Sequence, residues 1–377
     1  MKEPIYLDYN ATTPIADEVI EAMIPALRES WGNPSSTHHY GRAARRTVTR
    51  AREQVATLVA CSPDELIFTS GGTESDNAAI VGVAEACAER GRHIVISAVE
   101  HAAIERACAY LESRGWEVTR VPVDGRCRVD AEAVIAAVRP DTVLISVMHA
   151  QNETGVLQPI REIADNKPAS VVFHSDTAQS VGKIEVTARG LGVDMLTVAA
   201  HKLYGPKGIG ALYLNREVPF DSFLRGAGHE SGRRAGTENV PAAVGFGAAC
   251  ELARRESARR AEHLRTMRDR LEEALRSQIP DLVVHGAGAE RLPNTLSVAL
   301  PGANASQLVS RVDGVALGAG AACHSGEAHV SSVLKAMNVP EALALCTLRL
   351  CVGRSTSAEE VDQAAERIGR AALELRG

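Results

Sequence analysis

Polar residues able to do chemistry recur just after short apolar runs of this sequence. They are the Ser-Gly-Gly-Thr-Glu turn at 70–74, Glu100 with His101, the Gln-Asn-Glu run at 151–153, Asp176 with Gln179, and His201 with Lys202. Glycines that lead into a helix let backbone N–H groups approach a phosphate. A phosphate turn, a residue that can lie on a ring, a carboxylate and then a lysine are together what pyridoxal phosphate (PLP) requires.

In this interpretation Lys202 bonds covalently to the cofactor, and Asp176 pairs with the pyridinium nitrogen so that the ring can accept electrons. His101 lies on the ring face, and Asn152 forms a hydrogen bond with the ring hydroxyl. Each residue alone has a simpler explanation, since His101 and Asp176 could cap helices and Lys202 could be a surface lysine. Five successive apolar runs that each end in such a group favour the common site.

Strands that alternate with helices must position these residues. Apolar runs predict strands at 66–69, 93–97, 142–147, 171–174, 195–199 and 210–214, and apolar residues three and four apart predict helices at 76–90, 101–114 and 130–137. This alternation predicts right-handed crossovers and a mainly parallel sheet, whose ligands bind beyond the carboxyl ends of the strands.

The pattern changes near Pro241, where a long helix is predicted from 242 to 278. Short strands near 294–300 and 347–352 follow, and a final helix opens at Ser357. The fold class is therefore predicted to be α/β, with a mainly parallel sheet in a large domain at residues 13–253. Residues 1–12 and 254–377 are predicted to form a smaller α+β domain that carries Cys323 and Arg349.

The composition is that of a globular protein. The 377 residues are 45% hydrophobic and 23% charged, with a net charge of −6, which excludes disordered, collagen-like and coiled-coil classes and argues against a direct nucleic-acid partner. An apolar run of about eighteen residues and a signal-peptide pattern are both absent, so we expect a cytoplasmic protein that does not bind membranes. The eight cysteines have neither disulfide-scaffold nor zinc-ligand spacing, so no metal is expected.

Longer stretches of the sequence resemble the cysteine desulfurases, which are PLP enzymes of the class V aminotransferase-like group with the fold of aspartate aminotransferase, called PLP fold type I. The matching stretches are YLDYNATTP (6–14), GNPSSTH (32–38), FTSGGTESDN (68–77), EH (100–101), NETG (152–155), HSDTAQSVGK (174–183), HKLYGPKGIGALY (201–213), RRAGTENV (233–240), AACHS (321–325) and LRLCVGRST (348–356). They span nearly the whole chain in the family's order. The strings around Cys323 and GRST also resemble selenocysteine lyases.

The resemblance implies which residues form the site. The cofactor-binding residues are Gly72, Thr73, His101, Asn152, Asp176, Gln179, His201, Lys202 and Thr237. Of these, Thr73, His201 and Thr237 would hold the phosphate, with Thr237 reaching across from the second subunit of a homodimer. Lys202 or His101 would move protons, and Asn33 with Arg349 would bind the substrate carboxylate.

Two further residues are interpreted from their surroundings. Small residues flank Cys323 and are typical of an exposed loop, and by resemblance its thiolate attacks the sulfur of L-cysteine or the selenium of L-selenocysteine and leaves alanine. The other seven cysteines are predicted to be buried. Alternation in the strand at 347–352 places Arg349 opposite the leucines, where it could grip a carboxylate or form a structural ion pair.

Four activities fit these observations: a cysteine desulfurase that forms a persulfide on Cys323 for an acceptor or scaffold protein, a selenocysteine lyase, an aminotransferase and an inactive scaffold. The intact Lys202, Asp176 and His101 argue against the last.

Two positions depart from the family pattern. Ala199 stands where a phosphate-binding serine is common, and His229 stands where glutamine is typical.

Overall fold

A computed structural model describes residues 3–319, 322–324 and 327–376, with the backbone alone at 322–324 and 327–329. The strands are β1 (Ile5–Tyr6), β2 (Leu66–Thr69), β3 (His93–Ser97), β4 (Glu117–Val121), β5 (Thr142–Ser146), β6 (Val172–Asp176), β7 (Met195–Ala199), β8 (Gly210–Leu214), β9 (Val283–Val284), β10 (Thr295–Ala299), β11 (Val315–Ala316), β12 (Gly318–Ala319), β13 (Ala322–His324), β14 (Glu327–His329) and β15 (Thr347–Cys351). The helices are α1 (Asp17–Glu29), α2 (His39–Val59), α3 (Gly72–Cys87), α4 (Ala102–Glu112), α5 (Ala131–Ala136), α6 (Ile160–Asn166), α7 (Ala188–Leu191), α8 (Val240–Gln278), α9 (Ala305–Arg311), α10 (Ser332–Ala336), α11 (Glu341–Ala344) and α12 (Ala358–Arg376).

A seven-stranded sheet in the order β2-β8-β7-β6-β5-β3-β4 carries the chemistry-bearing segments. All neighbouring pairs are parallel except those of β8, which runs antiparallel to β2 and β7. The α/β prediction with a mainly parallel sheet is confirmed. The sequence pattern does not predict β4, because Glu117, Thr119 and Arg120 make it polar, and the structure places it at the sheet edge.

The other strands of this sheet are buried over their full length. Their continuous apolar runs are typical of a sheet that is covered on both faces. One face packs in a cluster with Ile80, Ile104 and Leu111 from α3 and α4. The opposite face packs with residues such as Val55 of α2 and Phe246 of α8. Because helices fill both faces, ligands can approach the sheet only at its strand ends.

A second, antiparallel sheet has the order β12-β15-β10-β9. Its core includes Leu271 and Leu275 of α8, residues of α12, and Ile5 and Leu7 from the start of the chain. Helix α8 thus packs on both cores and crosses the predicted boundary at 253/254. The division into residues 13–253 and residues 1–12 with 254–377 stays a prediction.

Several predicted elements begin or end a few residues from the expected positions, and three of these differences bear on the site. β6 extends to Asp176, because Asp176 still pairs with Thr197 of β7. Helix α8 begins at Val240, since the Asn239 side chain caps it and Pro241 is tolerated in the first turn. Helix α3 begins at Gly72, directly after β2 and its turn, so the polar turn residues stand at the N-terminus of a helix.

Tyr9 in the segment at 6–14 packs closely against Gly353, which follows the last strand of the small sheet. A Cβ on Gly353 would lie 2.1 Å from Cε1 of Tyr9, whereas a Cβ on Gly125 would meet nothing within 4 Å.

We expect Gly353→Ala to lower the free energy of unfolding by about 1–3 kcal/mol, because overpacking forces the Tyr9 ring or the backbone to shift. Gly125→Ala is the matched control and should change it by less than about 0.5 kcal/mol. Urea unfolding measures both, and equal stabilities for the two variants would contradict the packing described here.

Candidate active site

A cavity of about 260 Å³ lies beyond the carboxyl ends of β2, β3, β5, β6 and β7. Its lining residues are Gly72, Thr73, Asp76, His101, Met148, Asn152, Asp176, Ala178, Gln179, Ala199, His201 and Lys202. The structure therefore brings together all of the residues expected to bind the cofactor except Thr237. Parallel strands separated by helices place their carboxyl ends at one sheet edge, which is why residues far apart in sequence meet here.

The turn between β2 and α3 forms a side of the cavity that can receive an anion. Gly71 has a φ of 147°, which glycine adopts readily, and the first N–H groups of a helix have no partners within the helix. A Cβ on Gly210 would lie 2.7 Å from the Val198 carbonyl oxygen and 2.8 Å from Cα of Gly71, so β8 needs a glycine to pack against this turn. Gly72 and Thr73 can thus present N–H groups to a phosphate.

Lys202 follows β7, and its Nζ donates to the carbonyl oxygens of Asn10 at 2.6 Å and Ala11 at 2.8 Å. Burial, helped by the positive charge of Arg349, lowers the pKa of Lys202 to about 8. At pH 7 roughly a tenth of such amines are neutral, compared with fewer than about one in a thousand for an ordinary lysine. Lys202 can therefore act as a nucleophilic amine near neutral pH.

Asp176 ends β6, and its Oδ1 accepts a hydrogen bond of 2.8 Å from the Ala178 N–H. Burial raises the pKa of Asp176, while His101 and Lys202 oppose that shift. A buried carboxylate on a cavity wall gains most from a cation that enters the cavity, because water no longer screens the pair. A protonated ring nitrogen would supply that cation.

Two more buried carboxyl groups, Asp76 and Glu100, lie close enough to Asp176 to interact with its charge. Burial and the charge of Asp176 raise the pKa of Asp76 well above its usual range, and burial raises the pKa of Glu100 to about 8. Oδ1 of Asp76 and Oε2 of Glu100 have no hydrogen-bond partner among the described residues. Like charges disfavour simultaneous ionisation of the three groups, and Glu100, with its pKa raised to about 8, keeps its proton at neutral pH.

His174 lies behind these carboxyl groups and is fully buried. Its ring nitrogens form hydrogen bonds with Ser146 Oγ at 2.9 Å and Thr197 Oγ1 at 3.0 Å. Burial lowers its pKa to about 3, so His174 is neutral. The 3.8 Å approach of its Nε2 to Asp76 Oδ1 therefore supplies no ion pair that would ionise Asp76.

His101 both caps a helix and lines the cavity. Its Nδ1 accepts a hydrogen bond of 3.1 Å from the Ala103 N–H at the start of α4. Because Nδ1 is the acceptor, the neutral ring carries its proton on Nε2. The capping bond thus fixes both the ring orientation and the nitrogen that can donate a proton.

Asn10 is a buried residue that was not among the predicted site residues, and it forms hydrogen bonds with several residues of the cavity wall. Its carbonyl oxygen accepts from Lys202 Nζ and, at 3.0 Å, from Gln179 Nε2. Its Nδ2 donates to the Asn152 carbonyl oxygen at 3.1 Å and to Thr295 Oγ1 at 2.9 Å. On the phosphate side, His201 Nδ1 is 3.1 Å from Thr12 Oγ1 in the same N-terminal segment.

Thr237 and Asn33 do not line the cavity of this chain. Both are exposed, and the Asn33 side chain accepts a hydrogen bond of 2.9 Å from the Ser35 N–H. A role for Thr237 in a cofactor site therefore requires a second copy of the chain.

Arg349 forms an ion pair of 2.7 Å with Asp8. A structural ion pair was one of the two predicted roles of Arg349, and binding of a carboxylate ligand was the other. Its Nη1 also donates to the Asn152 carbonyl oxygen at 3.4 Å, next to the cavity. Its buried Nε has no hydrogen-bond partner in the part of the chain that the structure describes. One donor is thus available for a further acceptor.

The side chain of Cys323 lies outside the described residues, and its backbone belongs to β13, which pairs with β14. The other seven cysteines are free, and all but Cys61 are buried. Burial raises the pKa of Cys61, Cys108 and Cys127 to about 12, so these groups stay thiols at neutral pH. They are poor candidates for a nucleophile.

The described residues contain neither a metal-binding cluster nor a membrane-spanning helix. Three or more His, Cys, Asp or Glu side chains never come together there in a way that could hold a metal ion. No described helix has the length and apolar character needed to cross a membrane.

The residues that sequence reasoning missed are Asn10, Asp76, His174 and Lys183. All four lie within stretches that matched the family, but nothing in their spacing distinguishes them from ordinary polar residues. The only signal is position, because a polar residue next to a buried strand end must find a partner inside the protein.

The donor set fits PLP. Helix N–H groups with Thr73 and His201 suit a phosphate, Asp176 suits a protonated ring nitrogen, and Lys202 suits an aldehyde carbon. Asp76 also lines this cavity, and its buried Oδ1 has no hydrogen-bond partner among the described residues. Such an atom is expected in a cavity that binds a ligand.

Comparisons with known proteins agree with this arrangement. The family model described as aminotransferase class V matches residues 5–364. A protein from Dictyoglomus turgidum named cysteine desulfurase IscS is 42% identical over 379 residues, which cover 100% of this chain and 96% of that protein.

Two solved structures have the same fold. A NifS-like protein superposes with a TM-score of 0.92 at 35% identity, covering 97% of this chain and 98% of its own. SspA in complex with cysteine superposes with a TM-score of 0.81 at 32% identity, covering 93% and 99% respectively.

The raised pKa of Glu100 gives a pH-dependent stability. The folded chain keeps this proton up to about pH 8, whereas the unfolded chain loses it above about pH 4.5. The folded state therefore loses stability as the pH rises between these values. Glu100→Gln removes this titrating carboxyl group, so the stability of the variant relative to the native chain should increase by on the order of 3 kcal/mol from about pH 5 to about pH 8.

Thermal unfolding across this pH range measures the difference. Glu89→Gln, at an exposed position, is the matched control and should follow the native profile. Parallel profiles for Glu100→Gln and the native chain would contradict a protonated, buried Glu100.

Proposed function

Because this chain belongs to the class V aminotransferase family and to its cysteine desulfurases, we propose that it takes sulfur from L-cysteine and transfers it to Cys323, with PLP as cofactor. The observation that carries the proposal is the cavity in which Lys202, with a pKa lowered to about 8, shares one wall with Asp176 and His101. The match to SspA in complex with cysteine supports the choice of substrate.

We propose that Gly72, Thr73 and His201 hold the phosphate and that Gln179 and Asn152 contact the ring substituents. His101 covers the ring, and Asp176 keeps its nitrogen protonated. The bound PLP supplies an electron sink next to the reacting carbon. Lys202 Nζ and His101 Nε2 then move protons, since the amine of Lys202 is both a usable base and a usable acid near neutral pH.

Cys323 is the proposed acceptor of sulfur. Its thiolate bonds to the sulfur of L-cysteine as the carbon–sulfur bond of the substrate breaks, which leaves a persulfide on Cys323. The electron pair of the broken bond stays on the carbon fragment, which takes up a proton there and leaves as L-alanine. The high pKa values of Cys61, Cys108 and Cys127 support Cys323 as the nucleophile.

Arg349 is the proposed anchor for the substrate carboxylate, together with Asn33. Its Nε, which has no partner among the described residues, offers a donor while Asp8 retains Nη2. The ion pair with Asp8 supports this role, because it fixes the guanidinium plane before the substrate arrives.

Two copies of the chain are proposed to form a homodimer in which Thr237 binds the phosphate of the other subunit. The exposure of Thr237 and its position outside the cavity of its own chain support this arrangement. The persulfide would then pass to an acceptor or scaffold protein.

The test is incubation of the PLP-loaded protein with L-cysteine, followed by mass spectrometry of the Cys323 peptide and an assay of alanine. We expect one added sulfur on Cys323 and alanine as the product. Cys323→Ala should lower sulfur release by roughly three orders of magnitude with PLP still bound, because the nucleophile is gone.

Cys61→Ala is the matched control, since this half-buried thiol stays protonated, and its activity should equal that of the native chain. Unchanged sulfur release from Cys323→Ala would contradict the proposal. A keto acid in place of alanine would indicate an aminotransferase. A much larger kcat/KM for L-selenocysteine than for L-cysteine would indicate a selenocysteine lyase.

A further inference from the structure

Lys183 is a buried lysine that the proposed reaction does not use. Only 7% of its surface is exposed, and its Nζ donates to Asn10 Oδ1 at 2.8 Å and Gln179 Oε1 at 2.9 Å. Burial of a lysine is unfavourable unless its donors are satisfied. Here both acceptors are neutral amide oxygens, and one of them belongs to a residue of the cavity wall.

Protonated Lys183 fixes the orientation of the Gln179 amide, because an ammonium group can only donate hydrogen bonds. With Oε1 held by Lys183, Nε2 faces the Asn10 carbonyl oxygen at 3.0 Å. In the flipped orientation, an N–H group would face the ammonium group and an oxygen would face the carbonyl. Both contacts would then be repulsive.

Asn10 is held in the same way on the other side of Lys183. Its Oδ1 accepts from Lys183 and, at 3.0 Å, from Asn294 Nδ2. Its Nδ2 donates to Thr295 and Asn152, so a flip of this amide would break four contacts. The position of Asn10 in turn fixes its carbonyl oxygen, the acceptor for Gln179 Nε2.

One N–H of Gln179 remains after the bond to Asn10, and Gln179 lines the cavity. We propose that Lys183 is a positioning residue that turns the Gln179 oxygen away from the cavity, so that Gln179 presents an N–H donor to an oxygen of the bound PLP. The inference rests on the proposed function in that it takes PLP as the ligand. Lys183 itself does not touch the cofactor and acts through Gln179.

The experiment is a double-mutant cycle on the affinity for PLP, measured by titrating the cofactor-free protein, together with the visible absorbance of the bound cofactor across pH. Lys183→Met should raise the Kd for PLP about tenfold, because the amide is no longer held and one hydrogen bond is lost. Gln179→Ala should raise it by a similar factor. The double variant should be no weaker than the weaker single variant, since Lys183 acts through Gln179.

Three further variants separate positioning from a general structural role. Lys183→Arg keeps the donors and should bind PLP within about twofold of the native chain. Gln179→Glu keeps Lys183 paired but offers the cavity only acceptors, so it should weaken PLP binding at least as much as Gln179→Ala. Lys335→Met, at an exposed lysine on α10, should leave both the affinity and the absorbance profile unchanged.

The inference is overturned if the losses from Lys183→Met and Gln179→Ala multiply to about a hundredfold, because Lys183 would then act independently of Gln179. Native affinity in Gln179→Glu would also overturn it, and this variant retains Lys183 even if Lys183→Met does not fold. A native chain that binds no PLP would overturn the proposed function together with this inference. Tight binding by the native chain with multiplying losses would overturn this inference alone.

Discussion

The rest of the site depends on the hydrogen bonds of one buried residue, Asn10. Its carbonyl oxygen holds Lys202 and Gln179, its side-chain oxygen holds Lys183, and its amide nitrogen reaches Asn152 and Thr295. These bonds join the N-terminal segment, the ends of the large sheet and the first residue of a strand in the small sheet. A polar group this deeply buried is costly unless all of its bonds are made, so the junction has one stable arrangement.

The site also contains several buried ionisable groups whose charges affect one another. Asp76, Glu100 and Asp176 are buried carboxyl groups that act on one another's charge, and Lys183, Lys202 and Arg349 are buried cationic groups that do the same. Burial lowers the pKa of Lys202 to about 8 and that of Lys183 to about 7. The lysines can therefore lose a proton near neutral pH, and Glu100, with its pKa raised to about 8, keeps its own.

Much of the fold and of the candidate site could be predicted from the sequence, because apolar runs that alternate with helical patterns leave few topologies. The parallel sheet and the meeting of His101, Asp176 and Lys202 in one cavity follow from strand order alone. The polar edge strand β4 and the partners of Lys183 could not be predicted. An edge strand lacks an apolar pattern, and a hydrogen bond between Asn10 and Lys183 spans 173 residues with no periodicity to reveal it. The pair of Arg349 with Asp8 depends likewise on how the two sheets pack.

The proposed function requires that this cavity bind PLP through Lys202. The chain has only six lysines, so borohydride reduction of the PLP-loaded protein followed by peptide mass mapping can test every candidate at once. A stable cofactor adduct is expected on Lys202 and on no other lysine, because its amine has a lowered pKa and lines the cavity. An adduct on Lys183, or on an exposed lysine such as Lys335 with Lys202 unmodified, would contradict it.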